Sequence, residues 1–461
     1  MRDLRLAMVG AGPAGIYAAD IVTQEHPGAH VDLIERLPAP FGLVRYGVAP
    51  DHPRIKEIVK ALQRVVRRDR IRFVGNVSYG VDLKLDDLRR YYDAVVFATG
   101  AMADRPLDIP GIDLPGSYGA ADFVSWYAGH PDVPRDWPLE AREVAVIGAG
   151  NVALDIARML AKPADEQLST EIADNVYQGL KLNQATDVHV FARRGPAQIK
   201  FTPMELRELS HSPSVDVIVH PEGFEIDEAS QAAINASKGT RLVVDTLLKY
   251  VEAEPTGAPH RIHIHLCHTP VEVLGDDRVE GLRTEVTQLQ GDGTAKGTGE
   301  YVDTPVQAVY RAVGYLSSHL PEIPFDHQGG VITNDRGRVL DLDGVPLPGL
   351  YVTGWVKRGP IGLIGHTKSD AAETIASLLA DLDTLPQPEI RDPQGILEHL
   401  VARGATVIDS DGWARLDAHE IALGETSGRE RIKVVPREDM IRVATADISG
   451  PVAPRPVAVN R

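Results

Sequence analysis

Four short apolar runs, at least two of them ending in a turn of small residues, mark strands along the chain. They lie at residues 4–9, 92–100, 144–147 and 349–354, the second and fourth with their turns included. Runs of this length are typical of parallel strands that are buried on both faces. Helical stretches follow at three points further along the chain. The alternation of strand and helix predicts an α/β fold.

The first apolar run leads directly into a glycine-rich turn, GAGPAG at residues 10–15, which opens a helix. In this context Gly10 permits the tight turn, Gly12 lets the backbone approach a pyrophosphate, and Gly15 lets helix and strand pack closely. The helix N-terminus offers unpaired N–H groups to phosphates. The next strand ends at Glu35, where a carboxylate accepts hydrogen bonds from ribose hydroxyls. A glycine turn of another fold is the alternative interpretation, and the pattern alone does not distinguish FAD from NAD.

The third apolar run leads into a second such turn, GAGNVA at residues 148–153, again followed by a helix. The strand after it ends in Arg193 and Arg194, where the first unit has Glu35. A carboxylate repels a ribose 2′-phosphate, whereas each guanidinium binds it with charge-assisted bonds worth about 1.5–3 kcal/mol. A solvated strand end is the alternative. The opposite charges favour two different dinucleotides, FAD at the first turn and NADPH at the second.

Composition narrows the class of protein further. A chain of 461 residues is long enough for two or three domains. Its net charge of −17 argues against broad nucleic-acid binding. Cys267 is the only cysteine, which excludes an intrachain disulfide and a CxxC redox pair. With no signal peptide and no apolar run near the roughly 20 residues that span a bilayer, we expect a cytoplasmic protein without membrane insertion.

Five longer segments resemble an adrenodoxin-reductase-type ferredoxin–NADP+ reductase (NADPH-ferredoxin reductase) of the bacterial kind. In family order they are residues 42–53 (GLVRYGVAPDHP), 150–155 (GNVALD), 193–196 (RRGP), 201–208 (FTPMELRE) and 354–362 (GWVKRGPIG). The resemblance covers about residues 1–385. Trp355 stands where many related disulfide reductases carry an aspartate, and this departure matches the ferredoxin-reductase branch.

The resemblance implies two Rossmann-like dinucleotide-binding domains of the three-layer ββα/βαβ type, with an NADPH domain inserted into a split FAD domain. The ATG turn at residues 98–100 and the YVTG turn at 351–354 resemble those that close the FAD fold in two-dinucleotide flavoproteins. We therefore expect an FAD domain at 1–104 and 319–388, an NADPH domain at 105–318, and a C-terminal appendage at 389–461.

The resemblance also implies which residues contact the two cofactors. The expected FAD contacts are Gly10, Gly12, Ala14, Gly15, Glu35, Leu43, Trp355, Gly362, Leu363 and Ile364. The expected NADP contacts are Gly150, Asn151, Val152, Ala153, Arg193, Arg194, Glu205 and Gly362.

The implied reaction is hydride transfer from NADPH to N5 of FAD, followed by single-electron transfer to an iron–sulfur ferredoxin, with cytochromes P450 as plausible final acceptors. His52 and Glu208 are expected to form an ionic couple beside the two rings, and Asp155 to complete the polar network. An imidazole beside a carboxylate can relay or hold the proton that accompanies hydride transfer. Without the resemblance, His52 is interpreted as a helix cap, and Glu205 and Glu208 as a solvated acidic face.

A basic segment offers a surface for the partner. Residues 54–72 form an amphipathic pattern with eight basic and two acidic residues, a local charge of +6 in an acidic chain. Charge set against the overall sign favours steering of an acidic partner, here an acidic ferredoxin. The residues expected to dock it are Lys56, Lys60, Arg64 and Arg67. An ordinary solvated helix face is the alternative.

Three other functions compete with the reductase. A glutamate-synthase small chain shares the two glycine turns but needs N-terminal cysteines, which this chain lacks. A flavin monooxygenase needs a pocket for an organic substrate that no motif marks. A non-catalytic NADP(H)-sensing flavoprotein keeps the fold and stays open at this point.

Overall fold

The computed structural model describes residues 3–362 and 364–446. The described residues form two compact units. The first unit is drawn from Met1–Val48, His52–Met102 and Leu316–Arg461, and the second unit from Ala49–Asp51 and Ala103–Tyr315. The sequence places the domain boundaries at 104/105 and 318/319, and the structure changes unit at 102/103 and 315/316.

The strands in chain order are β1 (Leu4–Val9), β2 (Ala29–Glu35), β3 (Ile71–Gly75), β4 (Ala94–Phe97), β5 (Ala103–Asp104), β6 (Ser117–Gly119), β7 (Glu143–Ile147), β8 (Asp187–Ala192), β9 (Val215–Val219), β10 (His260–Leu266), β11 (His268–Leu274), β12 (Gly281–Leu289), β13 (Ala295–Pro305), β14 (Ala308–Arg311), β15 (Tyr315–Leu316), β16 (Phe325–Asp326), β17 (Val331–Ile332), β18 (Asn334–Asp335), β19 (Arg338–Leu340) and β20 (Pro346–Val352).

The helices are α1 (Pro13–Glu25), α2 (Leu43–Tyr46), α3 (Pro53–Lys56), α4 (Ile58–Val66), α5 (Leu85–Tyr91), α6 (Ala120–Tyr127), α7 (Asn151–Ala161), α8 (Asp174–Lys181), α9 (Pro203–Glu208), α10 (Glu228–Ala236), α11 (Lys238–Glu252), α12 (Trp355–Arg358), α13 (Ile364–Ala380), α14 (Gly395–Ala402), α15 (Ser410–Glu425) and α16 (Arg437–Ala444). Among the described residues, no helix is both long and apolar enough to cross a bilayer.

The first unit is built on a seven-stranded sheet of order β18-β19-β20-β4-β1-β2-β3. Its strands from β20 to β3 are parallel, and β19 and β18 extend it antiparallel. One face packs against α1, α4 and α13, and the other against α5 and α14. The carboxyl ends of β1, β2 and β4 therefore meet at one edge, which is where open α/β sheets bind ligands.

The C-terminal segment, residues 389–446, belongs to the first unit instead of standing apart as an appendage. Ile396 and Leu400 lie in the core on one face of the sheet. Trp413, Leu416 and Met440 lie in the core on the other face. α15 buries Trp413 and Leu416 and α16 buries Met440 and Val443, so both helices depend on the layer of the sheet to cover these side chains.

The second unit contains a six-stranded sheet of order β6-β14-β7-β8-β10-β9, in which all neighbouring pairs are parallel. On one face α7 packs against β7, β8 and β10. On the other face Ala145, Ile147 and Phe191 share a core with Val273 and Leu282 of the antiparallel sheet β11-β12-β13. The carboxyl end of β7 opens directly into the second glycine turn.

Candidate functional site

The first glycine turn has the backbone that a dinucleotide site requires. Gly10 adopts φ +112°, and a Cβ there would lie 2.4 Å from the Ala98 oxygen. A Cβ on Gly15 would lie 2.1 Å from the Gly10 oxygen, so helix α1 could not pack against the turn. Gly12 precedes α1, and the nearest atom to a Cβ there is 3.9 Å away. The first and third glycines are thus required by packing, while the middle one leaves room for a phosphate to approach.

Glu35 lies at the end of β2 and is bound to the same turn. Its carboxylate accepts hydrogen bonds from Ala11 N at 2.9 Å and Leu37 N at 3.1 Å. Burial raises the pKa of Glu35, and these backbone N–H groups oppose the rise. A carboxylate has about four acceptor sites, so two backbone donors leave capacity for ribose hydroxyls. The remaining acceptor sites of Glu35 suit the hydroxyls of the adenosine ribose of FAD, and this contact remains a prediction.

A second turn, residues 41–46, packs against the glycine turn. Phe41 N donates to Ala11 O at 2.8 Å, and a Cβ on Gly42 would lie 3.1 Å from the Gly12 Cα. Leu43 therefore begins α2 beside the predicted pyrophosphate site. Sequence analysis did not identify Arg45, which is buried in this turn. Its partner is distant in sequence, so no local pattern indicates it.

The turn at Gly354 packs against Ala14, near the start of α1. Gly354 adopts φ +78°, and a Cβ there would lie 2.6 Å from the Ala14 Cβ. Asp370 fixes this turn, because it accepts a hydrogen bond from Gly354 N at 2.5 Å and lies 3.0 Å from Lys357 Nζ. Trp355 begins α12 directly after the turn. Asp370 was missed because it lies 16 residues further along the chain, on α13.

Three predicted flavin contacts follow this turn. Gly362 adopts φ +90° and is exposed. Leu363 lies outside the described residues. Ile364 is described only as the first residue of α13, so nothing is concluded about its side chain.

The second glycine turn has the same design with one relaxed position. A Cβ on Gly148 would lie 2.4 Å from the Ala312 oxygen, so this position requires glycine. Gly150 caps α7, and no atom lies within 4 Å of a Cβ built on it. Ala153 stands in the third position and is fully buried, so the helix tolerates one methyl group there. The open space at Gly150 and the helix N-terminus carrying Asn151 and Val152 fit a dinucleotide phosphate.

The helix with the two predicted glutamates begins beside this second turn. Asn151 Oδ1 accepts from Thr202 N at 2.8 Å, and Lys200 N donates to Ala149 O at 2.7 Å. Thr202 then caps α9, its hydroxyl accepting from Glu205 N at 3.4 Å. Sequence analysis missed Thr202, although threonine, proline and a glutamate three residues on form a helix-start signature.

The two arginines follow β8 at the same end of the sheet. Arg193 is exposed. Arg194 donates one hydrogen bond, from Nη1 to Gly293 O at 3.3 Å. A guanidinium has five N–H donors, so this single bond orients Arg194 and leaves donors for a phosphate. The pair fits a 2′-phosphate, and its assignment stays a prediction.

Asp155 belongs to an ion-pair chain within the second unit. Arg158 donates to Asp155 at 2.8 Å and, in bidentate fashion, to Asp51 at 2.8 and 2.9 Å. Burial alone would lower the pKa of Arg158, but the two carboxylates raise it well above its ordinary value. Sequence analysis named Asp155 and missed Arg158, although a spacing of three on a helix was available as a signal.

The structure does not support the interpretation of His52 as a side-chain helix cap. The residue is buried at the N-cap position of α3, where its backbone oxygen accepts from Lys56 N at 3.2 Å and its side chain makes no capping hydrogen bond. His52 belongs to the first unit and Glu208, half-buried at the end of α9, to the second. Their ionic couple stays a prediction.

The basic surface is smaller than the sequence indicates. Arg68 pairs with Asp20, Arg70 donates to Pro27 O at 2.7 Å, and Arg72 lies in β3, where it pairs with Asp32 at 2.6 Å. These three side chains neutralise or bind groups of their own unit, so they contribute less to steering. Of the four predicted docking residues, Lys60, Arg64 and Arg67 are exposed and Lys56 is half-buried, on α3 and α4 and just after them.

Comparison with known proteins identifies the class to which this fold and these two turns belong. The family model for pyridine nucleotide-disulphide oxidoreductases matches residues 4–360. The chain belongs to the pyridine nucleotide-disulphide oxidoreductase family. Family membership confirms the prediction of an oxidoreductase with Rossmann-like domains, and of FAD and NADP(H) as cofactors.

Within this family, the chain matches several relatives over almost their whole length. NADPH-ferredoxin reductase FprA of Mycobacterium tuberculosis is 39% identical, over 96% of this chain and 99% of its own. Mitochondrial NADPH:adrenodoxin oxidoreductase of Arabidopsis thaliana is 38% identical, over 96% of each chain. The solved structure of M. tuberculosis FprA in complex with NADPH superimposes with a TM-score of 0.90 at 38% identity, covering 96% of this chain and 100% of its own. The resemblance to adrenodoxin-reductase-type enzymes is thus confirmed.

Proposed function

We propose that this chain is an NADPH-ferredoxin reductase, which takes a hydride from NADPH and passes single electrons to an iron–sulfur ferredoxin. The observation that carries the proposal is the contrast between two otherwise similar turns. A buried carboxylate, Glu35, closes the first, and two guanidiniums, Arg193 and Arg194, close the second. The similarity to reductases of ferredoxin and adrenodoxin over almost the whole chain supports the choice of acceptor.

Residues of the first unit bind and orient the flavin in this proposal. Bound FAD supplies the chemistry that turns a hydride into single electrons. The N–H groups at the N-terminus of α1 would point at the bound pyrophosphate. Glu35 would accept hydrogen bonds from the ribose hydroxyls. Asp370 fixes the turn at Gly354, and Trp355, which follows it, would contact the bound isoalloxazine ring. Leu43 and Ala14 are further FAD contacts expected in this unit.

Residues of the second unit, together with His52 and Gly362 of the first, are assigned to the nucleotide and to the proton that moves with its hydride. Arg193 and Arg194 bind the 2′-phosphate, and the α7 N-terminus binds the pyrophosphate. His52 and Glu208 hold the proton that accompanies hydride transfer, and Asp155, itself held by Arg158, extends this polar network. Glu205 contacts the nicotinamide nucleotide. Gly362 contacts both cofactors.

An acidic ferredoxin docks on Lys56, Lys60, Arg64 and Arg67, and a cytochrome P450 is a plausible final acceptor. Exposed positive charge on an acidic chain accelerates encounter with an acidic partner and makes the rate depend on salt. The docking segment therefore affects the rate of ferredoxin reduction and leaves reactions with small acceptors unchanged.

The first experiment mixes the oxidised protein anaerobically with NADPH or NADH in a stopped-flow instrument. Rapid bleaching of the flavin band by NADPH, and much slower bleaching by NADH, is expected. Flavin that NADPH leaves oxidised would support the alternative, a non-catalytic NADP(H)-sensing flavoprotein.

The second experiment compares a ferredoxin with ferricyanide as acceptor. The double variant Arg64→Glu/Arg67→Glu is expected to reduce ferredoxin at least ten-fold more slowly, with a flatter salt dependence and unchanged ferricyanide reduction. Lys238→Glu/Lys296→Glu, the same charge change on exposed residues of the second unit, is the control. Equal losses with both acceptors would refute the docking surface.

A further inference from the structure

A buried charge pair joins the C-terminal segment to the turn at residues 41–46. Glu420, on α15, is fully buried and binds Arg45 through both of its oxygens, at 2.5 and 3.0 Å. Arg45 is itself 5% exposed. The pair therefore lies entirely inside the first unit, and 375 residues of chain separate its members.

Aromatic and backbone contacts strengthen this junction. The Arg45 guanidinium lies 5.3 Å from the Trp413 ring, and the Trp413 ring meets Phe41 edge-on at 5.7 Å. Trp413 and Glu420 are seven residues apart on α15, which places them on one face of the helix. Lys433 Nζ donates to Arg45 O at 2.7 Å. One face of α15 thus holds the side chains of the turn, and Lys433, beyond the end of α15, holds its backbone.

The C-terminal segment also grips the carboxyl edge of the sheet. Gly75, at the end of β3, exchanges backbone hydrogen bonds with Ile408 at 2.7 and 2.9 Å. Arg437 donates to Arg36 O at 2.8 Å and to Asn76 Oδ1 at 3.0 Å. Arg36 directly follows Glu35, the predicted ribose contact. The segment therefore contacts turn 41–46 and also residue 36, which follows the carboxylate that binds the first glycine turn.

A buried ion pair of this kind fixes geometry more effectively than it stabilises the folded state. Removing two charges from water is costly, and apolar replacements of similar volume are often as stable. What the bidentate pair adds is a defined position for Arg45 and hence for α2. Because Gly42 contacts Gly12, a shift of α2 would move the backbone that lies beside the predicted pyrophosphate site.

We propose that the C-terminal segment is a flavin-retention element, in which Glu420 is the positioning residue that holds turn 41–46 against the first glycine turn. The proposal rests on the assignment of FAD to the first unit. It does not depend on NADPH oxidation or on the ferredoxin, so FAD release tests it separately from the proposed function.

The test measures the rate of FAD release from the purified holoprotein by the rise in flavin fluorescence after dilution, and the unfolding midpoint by circular dichroism. Glu420→Gln is expected to release FAD at least ten-fold faster. Asp439→Asn, which breaks an exposed pair with Arg442 in the same segment, is the control and is expected to stay within two-fold of wild type.

A second variant separates positioning from general stability. Arg45→Met/Glu420→Met removes both charges of the pair and keeps the volume, while Arg431 keeps Asp417 at 2.7 Å and Val434 N loses an acceptor. Its unfolding midpoint is therefore expected to fall less than that of Glu420→Gln, with FAD release still accelerated. Wild-type FAD release in the double variant, or in a folded Glu420→Gln, would overturn the proposal. If Glu420→Gln does not accumulate as folded protein, the double variant alone decides.

Discussion

Stacked histidines make the stability of the second unit depend on pH. His265, on β10, stacks between Phe191 and His220, with ring centroids at 4.6 and 4.2 Å. Its Nε2 lies 3.0 Å from Nδ1 of His189, so one of these nitrogens donates and the other accepts. The accepting nitrogen at this contact must therefore be unprotonated, so the two rings cannot both be charged in the native state.

Burial, together with the positive charge that neighbouring histidines can carry, lowers the pKa of His265 to about 2. The titratable groups of the cluster come from every neighbouring strand: His189 on β8, His263 on β10, His220 after β9 and His268 at the start of β11. Its acids contact other members, since Glu143 contacts His189 and Asp187 contacts His263. The nearest ring neighbours of His265 within the described residues are His189, Phe191 and His220, so no carboxylate among these contacts would stabilise a protonated ring.

The sign follows from the two pKa values. The pKa of His265 is about 6.5 in the unfolded chain and about 2 in the folded one, so the unfolded state binds more protons between these values. Stability is therefore complete above about pH 6.5 and is lost as the pH falls. For this one group, the free energy of unfolding is about 2 kcal/mol lower at pH 5 than at pH 7.

The assay is urea unfolding at pH 7 and pH 5, followed by a deuterium pulse at one common pH, so that protection of β10 and of β1 is measured separately. We expect β10 to lose protection at lower urea at pH 5, and His265→Gln to remove about 2 kcal/mol of that pH effect. His30→Gln, an exposed position in the first unit, is the substitution control. An identical pH effect in wild type and His265→Gln would refute the reasoning.

Three further predictions concern the two nucleotide sites and the turn at Gly354. Arg194→Ala is expected to lower kcat/KM for NADPH by about 10- to 150-fold, the loss of about 1.5–3 kcal/mol of charge-assisted bonding, with little change for NADH; parallel losses for both would contradict the assignment. Gly15→Ala is expected to give flavin-poor protein, read from the ratio of absorbance at the flavin and protein bands, because its Cβ would strike a backbone oxygen. Gly239→Ala, whose Cβ meets nothing closer than 3.6 Å, is the control for it and should retain flavin. Asp370→Asn is expected to destabilise the first unit by about 1.5–3 kcal/mol, because Lys357 loses one of its two carboxylate partners and keeps Glu373 at 2.6 Å; an unchanged thermal midpoint would exclude this role.

The sequence predicted the parts of the site that depend on local pattern. The two glycine turns, Glu35 and the arginine pair lie at the ends of strands, where the periodicity of the chain already indicates a strand, a turn and a helix. The middle glycines prove to be the positions with open space, as the role of pyrophosphate approach requires. These features are contained within about 25 to 45 consecutive residues each, so neighbours in sequence suffice to recognise them.

The sequence overestimated the basic surface because it counts charges without their partners. Arg72 was counted as part of a docking segment, yet its guanidinium forms a bidentate pair with Asp32 on the neighbouring strand. That pairing depends on β2 and β3 being adjacent and in register. A charge pattern cannot distinguish a solvated arginine from one that pairs across a sheet.

The sequence by itself determined that this chain carries two dinucleotide turns of opposite chemistry, because glycine geometry and side-chain charge are local properties. Only the tertiary structure decided what holds those turns in place. Arg45 finds Glu420 across 375 residues, and Arg158 finds Asp51 across 107. Which distant side chains meet is set by strand order and helix packing, and these arise from burial of the whole chain instead of from any single segment.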